Sequence, residues 1–168
     1  MKPPILTNPF TTDLLYLDPR MGRYMPRFME RVKGAGLNIG ISCTARLMKC
    51  QIALYAQGRQ PLDEINRLRS LAAMNPIGAT EAKKIVTWTL VSKHLVNFDD
   101  TDPNNDYSQA FDFFLMSNKK AYWDVKASVN ANQIPDYEEV GEIAESLGWE
   151  WGGRWKKNPD YPHVQLRS

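Results

Sequence analysis

Residues 109–116 read Gln-Ala-Phe-Asp-Phe-Phe-Leu-Met, an apolar run of strand length with one carboxylate set inside it. Alternation alone would let Asp112 point to solvent while Phe111 and Phe113 point inward. Phe113, Phe114 and Leu115 are consecutive, however, and together cover both faces. The run therefore predicts a strand buried on both sides, at the centre of a sheet. A charge in such a strand is costly unless it is paired. Any fold for this chain must bring a partner to Asp112.

The rest of the composition is that of an ordinary water-soluble globular chain. At 168 residues the simplest expectation is one domain, residues 1–168, with a real core. A net charge of +2 tolerates a polyanionic surface without demanding one, and no Lys/Arg block is dense enough to argue for nucleic acid. Cys43 and Cys50 are too few for a disulfide framework and do not form a Cys-x-x-Cys motif. The opening Met-Lys-Pro-Pro-Ile-Leu-Thr-Asn-Pro does not read as a signal peptide, and no run approaches transmembrane length. The expectation is a protein made in the cytoplasm, without stable membrane insertion.

Helical spacing of Met25, Phe28, Met29 and Val32 predicts a helix over 26–33, stopped by Gly34 and Gly36. Leu37, Ile39 and Ile41 alternate as a strand ending near Cys43. Further helices are expected over 47–57, closed by Gly58, and over 61–73. Ile85–Leu90 is rich in β-formers and predicts a strand leading to Ser92 and His94. Residues 97–108 carry four aspartates, three asparagines and a proline and predict an exposed loop. A last helix should begin at Pro135 and end at Gly148, before a Trp/Gly turn and a short strand carrying His163. Helices and strands mix without a βαβ rhythm. The fold class is α+β, a single domain with a small, mainly antiparallel sheet flanked by helices.

The chain has only two histidines, His94 and His163. Each alone reads most simply as a surface or terminal residue. With Asp112 they make two imidazoles and a carboxylate, a three-ligand zinc set that leaves the fourth position for water, as catalytic sites do. Asp160, three residues before His163, is the natural general acid and base. Arg46 follows the 37–43 strand and could hold negative charge on a reacting carbonyl, although a surface salt bridge is the plainer reading.

In order, Ser42-Cys43-Thr44-Ala45-Arg46, Gln51, Leu54-Tyr55-Ala56-Gln57-Gly58-Arg59, Val86-Thr87, Ser92-x-His94, Ala110-Phe111-Asp112, Gly148-Trp149-Glu150-Trp151-Gly152-Gly153 and Asp160-x-Pro162-His163 form a specific set. The set resembles the zinc peptidases that include D-Ala-D-Ala carboxypeptidases and dipeptidases and the L-alanyl-D-glutamate endopeptidases of phage endolysins. The likeness covers roughly Leu37 to Leu166. It implies a hedgehog/D-Ala-D-Ala peptidase-like fold with a zinc site in a cleft. It implies Zn2+ on His94, Asp112 and His163, Asp160 as the catalytic carboxylate, Arg46 as a catalytic and substrate-binding group, and Ser92 shaping the substrate site. It also implies the peptidoglycan stem peptide as substrate, cut between L-Ala and D-Glu. The role implied is that of an endolysin held in the host cytoplasm until a holin opens the membrane, working as a monomer on the cell wall without a separate wall-binding domain.

Three departures stand out. The family sets its first histidine and aspartate close together, whereas 18 positions separate His94 from Asp112 here. Asp99, Asp100, Asp102 and Asp106 lie between, but only Asp112 has the Ala-Phe-Asp strand context. Ala45 stands where an aromatic often precedes the arginine, and the 60–85 stretch is longer than in short members. Either long stretch could border the cleft. The competing readings are a D-Ala-D-Ala carboxypeptidase or dipeptidase, and a non-catalytic zinc-binding module, which the presence of Asp160 disfavours.

Overall fold

The computed structural model describes residues 2–99 and 101–167. Its centre is the strand that the apolar run predicts. β4 (Ala110–Ser117) pairs antiparallel with β2 (Ile39–Cys43) on one edge and with β7 (His163–Leu166) on the other. β6 (Trp149–Trp151) extends the sheet beyond β7, and β5 (Lys120–Tyr122) folds back on the far end of β4. A second, two-stranded ribbon joins β1 (Phe10–Thr11) to β3 (Ala45–Arg46).

The two faces of β4 divide the molecule. Phe111, Phe113 and Leu115 are wholly buried and meet Ile39, Val164, Trp149 and Trp151. Over them pack α2 (Met25–Gly34), through Met25, Phe28 and Val32, and α6 (Asp136–Ser146), through Tyr137, Val140 and Ala144. Asp112, Phe114 and Met116 point the other way and are half-buried. This corrects the expectation of a strand sealed on both sides. Simple alternation holds, and the second face floors a cleft instead of a second core layer.

The helices follow their sequence signals. The short α1 (Pro19–Gly22) breaks before Pro26, and Gly36, at φ +79°, turns the chain out of α2. Asp136, Glu138 and Glu139 sit in the first turn of α6, where the helix dipole favours negative charge, and Gly148 at φ +87° follows its end. α3 (Met48–Ala56) and α4 (Leu62–Leu71) form a hairpin, with α5 (Ala79–Ala82) closing a small cluster of Ala56, Ile65 and Ala82. Cys43 and Cys50 are buried free thiols.

Ile85–Leu90 is not a strand. It runs as an irregular wall with Ile85, Val86, Trp88 and Leu90 exposed. Among the described residues no strand pairs with it; side chains of the α3 region hold it instead. Gln51 Nε2 donates to Thr89 O at 2.6 Å and Arg59 donates to Thr87 O at 3.0 Å. The 97–108 stretch is exposed over 101–104 and turns inward from Asn105. Asp106 and Ser108 are buried, and Lys2 pairs with Asp106 at 2.9 Å. Ser108 N–H bonds Tyr16 O, which ties the stretch to the N-terminal segment.

Candidate metal centre and cleft

The register Asp112↔His163 sets two of the expected ligands side by side on neighbouring strands. His94 arrives from the other side, on a tight turn in which its N–H bonds Ser92 Oγ at 3.3 Å and Leu95 N–H bonds Ser92 O at 3.1 Å. A bridge between Arg46 and Leu95 anchors that turn to β3. Asp112 Oδ1 lies 3.0 Å from His94 Nε2 and 3.0 Å from His163 Nδ1, and the two ring nitrogens are 3.2 Å apart.

The opposite nitrogen of each imidazole is committed elsewhere. His94 Nδ1–H donates to Thr44 O at 2.9 Å, and His163 Nε2–H donates to Gln165 Oε1 at 3.0 Å. Gln165 is itself oriented, because its Nε2 donates to Glu150 at 3.1 Å, and Glu150 also accepts from Trp155 Nε1 at 2.5 Å. In the neutral tautomers that these bonds favour, both rings turn lone pairs toward Asp112 Oδ1. Three lone-pair atoms facing one another at this spacing repel unless a cation sits among them. A proton satisfies one pair, whereas a divalent ion satisfies all three. Ligands about 2.0–2.1 Å from a tetrahedral zinc stand roughly 3.3 Å apart, close to the triangle found. The donor set fits zinc, with the outer hydrogen bonds that orient metal-bound imidazoles already in place.

The electrostatics agree. Burial of His94 works against its charge, but the field and hydrogen bond of Asp112 prevail and push its pKa up to about 10. Burial would raise the Asp112 carboxyl, yet His94 and His163 hold it well below the usual range. A cation is strongly favoured at this vertex.

Arg46 lines the cleft, but both of its terminal nitrogens are already occupied. Nη2 donates to Asp112 Oδ2 at 3.1 Å and to Cys43 Sγ at 3.4 Å, and Nη1 donates to Gln51 Oε1 at 3.1 Å. Its immediate task is to hold the outer oxygen of Asp112 so that Oδ1 faces the imidazoles. Cys43 was not singled out as a ligand in the sequence. Its Sγ and donor atoms of His94 and Asp112 all lie within 4.8 Å of one another, a second set that could hold a metal ion. The Arg46 bond to Sγ and the equally close His163 make the two histidines with Asp112 the better set. Thr44, Gln51 and Gln165 were also missed as supports. Gln165 was findable two residues beyond His163 on the same strand face; the Thr44 carbonyl carries no side-chain signal.

Asp160 stands at the rim, exposed to solvent, in a turn whose carbonyl accepts from His163 N–H at 3.2 Å. The crowding of the cleft walls and then the charge of Asp112 raise its pKa, the first tempered by that exposure. The turn rests on Gly152, whose carbonyl accepts from Asp160 N–H at 3.0 Å. A Cβ on Gly152 would lie 2.6 Å from Asp160 O and 3.2 Å from the Cβ atoms of Asp160 and His163. Gly152→Ala should thus cost roughly 1–3 kcal/mol, as overpacking does, and displace both residues together. Thermal melting with metal analysis should show a lower midpoint and weaker zinc retention; parental values would mean that the turn has slack.

The whole site opens into a cleft of about 550 Å3 whose walls include Ser92, Trp88, Trp123, Trp155 and Lys157. Among the described residues none of 95–108 lines it, and of the 60–85 stretch only Ile85 does. Asp99, Asp102 and Asp106 are likewise absent from its lining, while Asp100 falls outside the described residues.

Two comparisons bear on this site and one on the fold. A family model described as D-alanyl-D-alanine carboxypeptidase matches residues 104–166, which contain Asp112, Asp160 and His163. The peptidoglycan L-alanyl-D-glutamate endopeptidase CwlK of Bacillus subtilis (strain 168) is 43% identical over 142 residues, 82% of this chain and 68% of that protein. The chain belongs to the D-alanyl-D-alanine carboxypeptidase and L-alanyl-D-glutamate endopeptidase family. The crystal structure of Serratia marcescens L-Ala D-Glu endopeptidase ChiX shares the fold of this peptidase, with TM-score 0.50 and 20% identity over 96% of this chain and 89% of that one. Among the described residues no helix of this family member is long and apolar enough to cross a membrane.

Proposed function

We propose that this chain is a zinc-dependent peptidoglycan endopeptidase that cuts the stem peptide between L-Ala and D-Glu. The observation that carries the reading is the vertex of His94 Nε2, Asp112 Oδ1 and His163 Nδ1, with the outer nitrogen of each imidazole already held by Thr44 O or Gln165 Oε1. The relationship to CwlK supports the bond assignment. His94, Asp112 and His163 would hold the ion. A zinc ion bound there supplies Lewis acidity, polarising a carbonyl and easing deprotonation of water.

The chain's own groups do the rest. Asp160 takes a proton from the attacking water and passes it to the departing D-Glu amine. Crowding in the cleft and the charge of Asp112 raise its pKa above that of an ordinary aspartate, which makes it a better proton acceptor. Arg46 fixes Asp112, and its charge at the cleft floor favours the negative charge that develops on the scissile carbonyl. Ser92 shapes the turn that aims His94 and lines the cleft beside it. The motif set that resembles the endolysin branch supports a role in host lysis, as a monomer reaching the wall from the cytoplasm after a holin opens the membrane.

Digestion of purified peptidoglycan should release new D-Glu amino termini, detected by amino-terminal labelling and mass spectrometry, while wall turbidity falls. The family-model description favours one alternative, removal of a terminal D-Ala. That reaction leaves existing cross-links intact. Free D-Ala as the sole product, with turbidity unchanged, would replace the endopeptidase reading with the carboxypeptidase one.

A further inference from the structure

Two tryptophans in the cleft are more than half exposed, Trp88 at 58% and Trp123 at 56%. Neither is loose. Arg59 lies 5.8 Å from the Trp88 ring centre. Trp123 is backed by Phe114, with ring centres 5.7 Å apart and planes 33° from parallel. Phe114 is anchored in turn, since its ring lies over Gly40, its partner across β2, where any side chain would collide with it. An exposed indole held on a rigid support is a prepared binding surface, because little side-chain freedom remains to be lost.

The position of this support gives the surface a meaning that rests on the endopeptidase reading above. Phe114 is two residues from Asp112 on the same strand face, a separation of about 7 Å. In peptidoglycan the amine of L-Ala is acylated by the lactyl arm of a muramic acid sugar. Six bonds link the L-Ala carbonyl carbon to the sugar ring, an extended reach of about 7 Å. A carbonyl at the metal vertex therefore carries its sugar about as far along the sheet as Phe114, whose ring backs Trp123. Lys157 and Asn158 line the same cleft and offer donors to the polar edge of a hexose.

We propose that Trp123, braced by Phe114, is a sugar subsite that stacks the muramic acid ring of the glycan strand. The enzyme then prefers stem peptides still attached to glycan over free ones. The test uses two soluble substrates with the same stem peptide, one carrying N-acetylmuramic acid on L-Ala and one carrying acetyl in its place. Wild-type kcat/KM should be about tenfold higher for the first, on the scale of one good aromatic contact. In Trp123→Ala the ratio should fall to near one, and Trp123→Phe should recover part of it. Calorimetric titration with peptide-free glycan strands should show binding to wild type and loss of it in Trp123→Ala. A ratio unchanged by Trp123→Ala would overturn the subsite. If wild type cuts neither substrate, the endopeptidase reading fails on its own, and the glycan titration still decides the subsite: binding that depends on Trp123 supports it, and absence of binding refutes it.

Discussion

Loss of either histidine should empty the metal centre. The parent protein should bind about one zinc per chain, and His94→Ala and His163→Ala should each retain little of it and fall to background in wall hydrolysis. The two imidazoles and Asp112 form a closed triangle, so each deletion leaves two of its ligands, and the Cys43 thiol that could replace the third is held by Arg46. His94 is almost fully buried, and its removal also opens a cavity, so circular dichroism must accompany the metal analysis. Gln165→Ala separates the two effects. It deletes no ligand but frees His163 Nε2 from its acceptor, and zinc affinity should weaken by roughly 10–100-fold, as for other outer hydrogen-bond partners of metal ligands. Full metal retention in both histidine variants would sink the assignment. Retention in Asp112→Ala would show that Cys43 can stand in for the carboxylate.

Asp160→Asn should divide binding from chemistry. Asparagine preserves size and hydrogen bonding but takes no proton at this position. Zinc content should stay near one per chain while hydrolysis falls by roughly two orders of magnitude or more. In the parent, Asp160 must be ionised to accept a proton, so the rate should fall as pH drops through its pKa. Because that pKa is raised, the fall should begin above the ordinary aspartate range, and in Asp160→Asn this limb should vanish. A variant that clears walls at a near-parental rate would remove Asp160 from the mechanism.

The parts of the fold legible in the sequence are those where local pattern and tertiary environment agree. Met25, Phe28 and Val32 repeat at helical spacing and do bury one face of α2. Ile85–Leu90 fails the same test. Its β-forming residues describe an extended chain, but whether that chain finds a ladder depends on neighbours the pattern does not specify, and Gln51 and Arg59 supply its bonds instead. β6 is three residues long, too short for alternation to register beside a Trp/Gly turn. At the site, rarity made the histidines visible and the apolar context made Asp112 visible. Burial on both sides does not hold, because Asp112 faces the cleft; the demand for a partner survives because the cleft floor is still crowded. The oxygen of Thr44 and the thiol beside it were illegible because a backbone acceptor has no sequence signature and a buried cysteine usually means packing.

The division of the central sheet by parity has a practical meaning for redesign. Along β4 the odd positions 111, 113 and 115 face the helices and the even positions 112, 114 and 116 face the other side, where Asp112 lines the cleft; on β7 the parity reverses, with 163 and 165 toward the cleft and 164 in the core. Selection on folding and selection on substrate choice therefore act on interleaved but separate sets of side chains. A library confined to Trp88, Trp123 and Lys157, which line the cleft, explores new wall chemistries with the hydrophobic interior untouched. A single-residue deletion anywhere between 110 and 113 exchanges the two sets and forfeits both at once.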